Sequence, residues 1–308
     1  MRALLWPVVW IAAALPAGAA DALGRALGWV WYRVVPIRRG VARANVAAAL
    51  GTGPAETEVV VAGMYRHLGR AFVELLRFTR RRPSVRVEGR EHLDAALAAG
   101  RGALVLTAHL GNWELLVQAG MWVDRPVSVV TKRLRAGWAE AAWRALRRGG
   151  PALFPAGASA RLVVAALGRG EVVGYVLDQH SPEKQAVRAP FFGRMAATSG
   201  DLVRLARLTG AAVVPVFIWR AGGEHVIRVG PAVALAWSAD KRADVEVGTR
   251  RCLAVVEAAI AARPEQWLWI HRRWKGAAAD AGGGRGGSGS ASPPGSLMGA
   301  AADGSEER

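Results

Sequence analysis

Short apolar runs and longer amphipathic segments alternate through most of the chain. The apolar runs at 103–107, 127–131, 171–177, 211–219 and 225–230 predict strands. Helices are predicted before them at 41–51 and 56–80, between them at 113–122, 136–148, 158–168 and 198–208, and after them at 240–262. Strands that alternate with helices predict an α/β fold in which a mixed central sheet is flanked by helices.

The N-terminal 37 residues form an apolar segment rich in tryptophan. Residues 3–20 carry no charge, and a second apolar stretch follows at 26–37. Tryptophan suits a membrane interface, and the arginines that follow the first stretch favour a cytoplasmic body. Residues 1–37 are therefore predicted to be an N-terminal membrane anchor, which either spans the membrane or lies flat on it. A helix buried in the core is the alternative.

The C-terminal segment differs in composition from the rest of the chain. Residues 276–308 consist largely of glycine, alanine and serine and offer little that forms a core. Such a composition predicts a disordered tail. No linker interrupts residues 38–275, which are therefore predicted to form one domain between the anchor and the tail.

Charge narrows the class of partner. The chain holds 41 Lys and Arg residues against 24 Asp and Glu, a net charge of +17. The tail contains 2 of the basic and 4 of the acidic residues, so the body carries +19. An acidic partner is implied: a nucleic acid, an anionic membrane, or an anionic substrate or protein. Sequence signatures of nucleic-acid binding are absent, and an apolar N-terminus has no role there, so no nucleic-acid partner is predicted.

Cysteine and motif content argue against cofactor chemistry. The chain has one cysteine, Cys252, which excludes an internal disulfide and any multi-cysteine metal site. Neither an HExxH motif nor a Walker-type glycine loop occurs. No metal and no nucleotide cofactor is therefore predicted.

The stretch LTAHLGNWELL, residues 106–116, carries the strongest candidate chemistry. His109 follows a predicted strand and Glu114 falls in the first turn of a predicted helix, with Gly111 permitting the turn and Asn112 as N-cap. Residues five apart on one continuous helix point about 140° away from each other, but across a strand–turn–helix they meet. An ionised Glu114 would orient the imidazole of His109, which would act as a general base. The alternative is that His109 and Glu114 only have their hydrogen bonds satisfied in a loop and take no part in catalysis.

Other polar points interrupt the apolar pattern further along the chain. Asp178 and Gln179 follow a predicted strand, and Thr198 is predicted to cap a helix. Arg147 lies at the end of a predicted helix. It either has a functional role or interacts favourably with the helix dipole. RPEQWLWIHRRWKG, residues 263–276, predicts an aromatic and cationic contact with membrane or phosphate, or a last helix that packs onto the body.

In order and spacing, these pieces resemble the bacterial lipid A late acyltransferases, the lauroyl/myristoyl acyltransferase family of the lysophospholipid acyltransferase-like superfamily. The resemblance spans roughly residues 1–275 and is carried by RRGVARANVAAAL, HLGRAFVELLRF, AHLGNWE, LDQ, PFFG, TSGDLVRLARLTGAAVVPVFIWR and PEQWLWIHRRWK. It implies a membrane-bound enzyme that transfers a fatty acyl chain from acyl carrier protein to a hydroxyl of an anionic glycolipid, a lipid A precursor. It further implies the inner membrane, with the catalytic domain on the cytoplasmic side.

The resemblance also assigns residues to roles. It implies that His109 is the general base and Glu114 its orienting partner, and that Asn112, Arg147, Asp178 and Gln179 lie at substrate-binding positions. A different acceptor, such as a mannolipid, a lysophospholipid or another glycolipid, is the alternative within the enzyme class. A membrane scaffold without activity is an alternative outside it.

Overall fold

The computed structural model describes residues 2–78, 80–118, 122–131, 137, 151–156, 159–182 and 186–275. Most of the predicted helix at 136–148, and the tail at 276–308, lie outside this part of the chain. Residues Met1–Lys275 form one compact unit.

A sheet forms the centre of this unit, as predicted, and it has seven strands. Its strands lie in the order β1-β9-β8-β2-β5-β3-β4, and every neighbouring pair is parallel except β8 with β9. The strands are β1 (Val85–Glu88), β2 (Ala103–Thr107), β3 (Val127–Thr131), β4 (Ala152–Pro155), β5 (Val172–Val176), β8 (Ala212–Ala221) and β9 (Glu224–Val229). The five predicted strands are β2, β3, β5, β8 and β9, whereas β1 and β4 escaped prediction because these short edge strands are only partly buried.

Helices cover the sheet, which confirms the predicted class of a mixed sheet flanked by helices. The helices bounded within the described part of the chain are α1 (Arg2–Ala14), α2 (Ala17–Arg33), α3 (Arg39–Leu50), α4 (Pro54–Phe78), α5 (Arg90–Ala98), α6 (Trp113–Val117), α7 (Ala160–Gly168), α8 (Asp201–Thr209) and α9 (Lys241–Ala261). β2 is buried along its whole length, as an apolar run without alternation predicts for a strand covered on both faces. Ala103 and Val105 join a core with Leu93 of α5 and Leu115 of α6, and α8 also packs against β2.

Helix α6 is shorter than the predicted helix at 113–122. It ends at Val117 because Gln118 leaves the helical conformation, with φ −78° and ψ 71°. The indole nitrogen of Trp122 then donates to the carbonyl oxygen of Leu116 at 2.8 Å. This hydrogen bond satisfies one of the carbonyl groups that the helix end leaves without a partner.

A hairpin of two strands lies outside the main sheet, where no strand was predicted. β6 (Val187–Phe191) pairs antiparallel with β7 (Arg194–Thr198). The prediction that Thr198 caps the following helix was wrong: Thr198 ends β7, and Gly200 occupies the N-cap position of α8. The buried hydroxyl of Thr198 instead accepts a hydrogen bond from Arg273 at 2.6 Å.

The predicted anchor consists of two helices, α1 and α2, which are separated at Pro16. α2 packs closely along α4, where a Cβ added to Gly69 would overlap the backbone of Gly24 and Gly28. Each of the two helices also exposes a large apolar side chain, since Trp10 of α1 and Trp29 of α2 are 52% and 57% exposed. None of the helices in the described part of the chain is both long enough and apolar enough to cross a membrane.

Candidate active site

The candidate site lies at the carboxyl ends of two neighbouring strands. β2 and β5 are parallel, and their register pairs Thr107 with Val176. His109 and Asp178 each follow their paired residue by two positions, so the sheet brings them face to face. Open α/β sheets place functional groups at this edge.

A tight turn at Gly111 leads the chain from His109 into α6. Gly111 has φ +60°, and a Cβ there would overlap the carbonyl group of Ile218 in β8, so both the conformation and the space require glycine. The turn is tied to the C-terminal segment because the amide of Gly111 donates to the carbonyl oxygen of Gln266 at 2.9 Å. His109 is thus held by the sheet on one side and by the C-terminal segment on the other.

Asp178 binds His109 through both carboxylate oxygens. Oδ1 lies 2.9 Å from Nδ1 of the imidazole, and Oδ2 accepts the backbone amide of His109 at 3.1 Å. The indole nitrogen of Trp267 also donates to Oδ2, at 2.6 Å. Burial by itself raises the pKa of the Asp178 carboxyl, but the charge and hydrogen bonds of His109 and the hydrogen bond from Trp267 outweigh it and lower the pKa to about 2. An ionised carboxylate can only accept, so Nδ1 of His109 carries the proton and Nε2 is the basic nitrogen.

Gln179 lies at the basic nitrogen. Its amide nitrogen is 3.1 Å from Nε2 of His109, on the side where a substrate hydroxyl must approach. This position agrees with the expectation that Gln179 binds substrate, which stays a prediction. The ring of Trp113 packs edge-on against the imidazole, with 5.2 Å between ring centroids, and restricts its rotation.

The carboxylate at Nδ1 of His109 belongs to Asp178 and not to Glu114, for which this position was predicted. Glu114 lies in the first turn of α6, where its Oε1 accepts a hydrogen bond from the indole nitrogen of Trp113 at 3.2 Å. The physical reason is the sheet. Asp178 follows β5, which is paired with the strand that precedes His109, whereas Glu114 lies beyond the turn at Gly111 and belongs to helix α6. A catalytic role for Glu114 stays a prediction.

Asp178 and Asn112 are buried and support the site from behind. Asp178 is 2% exposed and Asn112 is 1% exposed, and the substrate contact predicted for each of them stays a prediction. Asn112 occupies the N-cap position of α6 but makes no capping hydrogen bond. Its amide instead donates to Glu74 Oε2 at 2.9 Å and to the carbonyl oxygen of Ala71 at 3.3 Å, because α4 packs against the turn. Arg147 lies outside the described residues.

The C-terminal segment 263–276 packs into the site as far as Lys275, the last described residue. Beyond one short 3₁₀ turn at Pro264–Gln266 it is not helical, and Trp267, Trp269 and Arg273 are buried. The Arg273 guanidinium donates to the carbonyl oxygens of Gln179 and Ala197, at 3.1 and 2.7 Å, and so joins the Gln179 loop to β7. Trp267 is a site residue that sequence reasoning missed, since nothing local indicates that its indole would meet Asp178.

An apolar cavity of about 260 Å³ opens beside α6. Trp113 and Glu114 lie on one wall, and α4 supplies Leu68 and Phe72 on the other. Leu268 of the C-terminal segment also lines it. Within the described part of the chain, no cluster of three or more His, Cys, Asp or Glu residues could hold a metal ion.

Comparison with known proteins identifies the family. The family model described as bacterial lipid A biosynthesis acyltransferase matches residues 3–276, which is most of the chain. The chain belongs to this family. Membership confirms the resemblance drawn from the motifs and supports the predicted enzyme class, an acyltransferase with a glycolipid acceptor.

Individual relatives cover most of the chain. The lipid A biosynthesis palmitoleoyltransferase of Escherichia coli is 30% identical over 284 residues, which cover 87% of this chain and 89% of the relative. The phosphatidylinositol mannoside acyltransferase of Mycobacterium tuberculosis is 28% identical over 247 residues, or 75% and 76% of the two chains. The crystal structure of a 1-acyl-sn-glycerophosphate acyltransferase from Thermotoga maritima aligns with a TM-score of 0.34 and 17% identity over 77% of this chain and 97% of that chain.

Proposed function

We propose that this protein transfers a fatty acyl chain from acyl carrier protein to a hydroxyl of a glycolipid, a lipid A precursor, with His109 as the general base. The observation that carries the proposal is the hydrogen bond between Nδ1 of His109 and the buried carboxylate of Asp178. This hydrogen bond keeps the ring proton on Nδ1, so Nε2 is the basic nitrogen. A general base at this position can remove the proton of an attacking hydroxyl.

The reaction uses the two ring nitrogens differently. Nε2 of His109 removes the hydroxyl proton as the oxygen attacks the carbonyl carbon of the acyl thioester. The tetrahedral intermediate collapses, the C–S bond breaks, and the departing thiolate takes the proton back from Nε2. Asp178 stabilises the transient imidazolium through Nδ1 and stays ionised throughout, as its lowered pKa favours. The products are the acylated glycolipid and the free thiol.

The apolar cavity beside α6 is the proposed place for the acyl chain. Its walls are formed mainly by apolar side chains, and Trp113 joins it to the imidazole of His109. Glu114 is the carboxylate on the wall of this cavity. In this arrangement Glu114 acts on the substrate side of His109, while Asp178 acts from behind.

We further propose that the protein sits on the cytoplasmic side of the inner membrane. Trp10 and Ile11 of α1, and Trp29 of α2, are all more than half exposed. Exposed apolar surface of this kind marks a site of membrane or protein interaction. Binding to the membrane would also place the candidate active site close to the lipid acceptor.

The acceptor has a second candidate. The mycobacterial relative is named for a phosphatidylinositol mannoside, so a mannolipid acceptor competes with a lipid A precursor. The two acceptors share the same need for a base at Nε2 and differ in the glycolipid that must be bound.

The test uses the purified full chain with acyl carrier protein loaded with a fatty acid. A lipid A precursor, a phosphatidylinositol mannoside and a lysophospholipid are supplied in turn, and mass spectrometry detects the acylated product. We expect acylation of the lipid A precursor, and His109→Ala to lower its rate by about 10²–10⁴-fold. His92→Ala on α5 is the matched control and keeps the wild-type rate. Normal turnover by His109→Ala, or no turnover of any glycolipid, contradicts the proposal.

A further inference from the structure

An arginine-lined pocket of about 570 Å³ lies apart from the imidazole of His109. Five arginines line it: Arg70, Arg77, Arg81, Arg82 and Arg220. They come from three parts of the chain, namely α4, the segment after it, and the end of β8. Neither His109 nor Glu114 lines the pocket, so it is separate from the proposed reaction site.

The carboxylates of the pocket are already engaged. Asp21 accepts from Arg25 and lies 2.5 Å from Arg70, while Glu74 accepts from Arg220 on one oxygen and from Asn112 on the other. Among the described residues, Asp21 and Glu74 are the two carboxylates that line the pocket, so the five guanidinium groups exceed the carboxylates by three. Guanidinium groups gathered around one pocket repel one another, and an anion bound among them relieves that repulsion.

Several guanidinium groups retain hydrogen-bonding capacity. Arg77 uses Nη1 to donate to the carbonyl oxygens of Ala12 and Leu15, and Nε of Arg220 is buried without an acceptor. Within the described part of the chain, Arg81 and Arg82 have no carboxylate within ion-pair distance. Burial lowers the pKa of Arg77, and the neighbouring charge of Arg81 lowers it further. An anion in the pocket would relieve that repulsion.

The N-terminus of α2 faces the same pocket. α2 has 17 residues, and its N-cap, Pro16, provides no side-chain acceptor for the first amides. Ala17 and Gly18, at the start of the helix, line the pocket beside the arginines. The first amides of a helix have no intrahelical partner and, with the helix dipole, favour an anion.

We propose that this pocket is a second binding site that takes the phosphate group of an anionic lipid headgroup. Guanidinium groups bind phosphate through paired, charge-assisted hydrogen bonds, and several of them around one tetrahedral anion suit a phosphate better than a planar carboxylate. The volume of the pocket exceeds that of a single anion and leaves room for the organic part of a headgroup. The junction of α1 and α2 borders the pocket, and Trp10 of α1 stacks against Arg80, the residue before Arg81. The proposal does not depend on the acyl-transfer reaction.

The test compares two double variants of the full chain in detergent micelles. Arg81→Gln/Arg82→Gln removes two exposed guanidinium groups of the pocket without leaving a carboxylate unpaired. Arg161→Gln/Arg250→Gln is the control, because it removes the same charge from exposed positions that do not line the pocket. Circular dichroism and melting curves establish that both variants are folded.

The first arm titrates inorganic phosphate by calorimetry at constant ionic strength. The second measures co-flotation with phosphatidylcholine vesicles that do or do not contain phosphatidic acid. We expect the pocket variant to bind at least about tenfold more weakly than the control variant, since each charge-assisted hydrogen bond is worth more than a neutral one. A loss in both arms identifies a phosphate site open to free phosphate, and a loss in the vesicle arm alone identifies the lipid headgroup. Equal behaviour of the two variants in both arms overturns the proposal.

Discussion

Replacement of Asp178 by asparagine tests the proposed mechanism most directly. The carboxylate accepts hydrogen bonds from Nδ1 of His109 on one oxygen, and from the His109 amide and the Trp267 indole on the other. Asparagine has nearly the same shape but only one accepting oxygen. Because two of the three donors meet at one position, we expect the amide oxygen to lie there and the NH₂ group to face Nδ1.

That orientation reverses the tautomer of His109. A donor opposite Nδ1 requires Nδ1 to accept, so the ring proton moves to Nε2 and the base is lost. The imidazolium also loses the carboxylate that stabilises it. We therefore expect the loss of the general base, about 10²–10⁴-fold in kcat, which corresponds to about 3–5 kcal/mol of transition-state stabilisation.

The assay measures kcat for acyl transfer from acyl carrier protein to a glycolipid, with saturating donor and acceptor. Asp124→Asn is the matched control, because the Asp124 side chain is 86% exposed and pairs with Arg90 on the surface. The melting temperature of each variant separates lost chemistry from lost structure. The reasoning is refuted if folded Asp178→Asn protein keeps kcat within about threefold of the wild-type value.

Glu114→Gln in the same assay separates the two carboxylates. If Glu114 orients His109, as the sequence predicted, Glu114→Gln abolishes activity while Asp178→Asn leaves it nearly unchanged. In the arrangement seen here, Asp178→Asn is at least as severe as Glu114→Gln. The double variant His109→Ala/Glu114→Gln is then little worse than His109→Ala, because groups that act through one base are not additive.

Four further predictions concern packing, pH, salt and location. In Gly69→Ala the added methyl group should overlap α2 and destabilise the protein by about 1–3 kcal/mol, whereas Gly40→Ala adds its methyl group in open space and should not. Chemical denaturation measures the stability of both variants. Equal stability of the two would contradict the packing seen here. Burial lowers the pKa of His67 to about 4, so the fold holds it neutral while the unfolded chain protonates near pH 6.5. Stability should therefore fall from pH 6.5 towards pH 4, by up to about 3 kcal/mol from this residue, and His67→Gln should flatten the slope of a denaturation series across that range. Acyl transfer from acyl carrier protein should slow as salt rises, because salt screens the attraction between an acidic carrier and a basic body; a rate independent of salt excludes that steering. Trp10→Ser/Trp29→Ser should shift protein from the membrane pellet to the supernatant, and an unchanged pellet fraction would count against the proposed seat.

The predicted strand bounds were accurate where the sequence contains an unbroken apolar run. β2 and β8 are buried apolar runs, and they lie within two residues of their predicted bounds because burial on both faces demands an unbroken apolar sequence. The hairpin of β6 and β7 and the edge strands β1 and β4 were missed. Their short, partly exposed sequences carry little periodic signal, and contacts made elsewhere in the chain stabilise them.

The sequence by itself determined the family, the class of fold and the position of His109 at the end of a strand. It also singled out both Glu114 and Asp178. Only the tertiary structure decided which carboxylate orients the imidazole, because that depends on β5 lying beside β2 in parallel register, and no local pattern specifies which strands become neighbours. The contact of Trp267 with Asp178 could not be predicted for the same reason, since 89 residues separate them in the sequence. The arginine pocket likewise exists only after α2, α4 and β8 have packed, because its charges are scattered along the chain and the fold collects them.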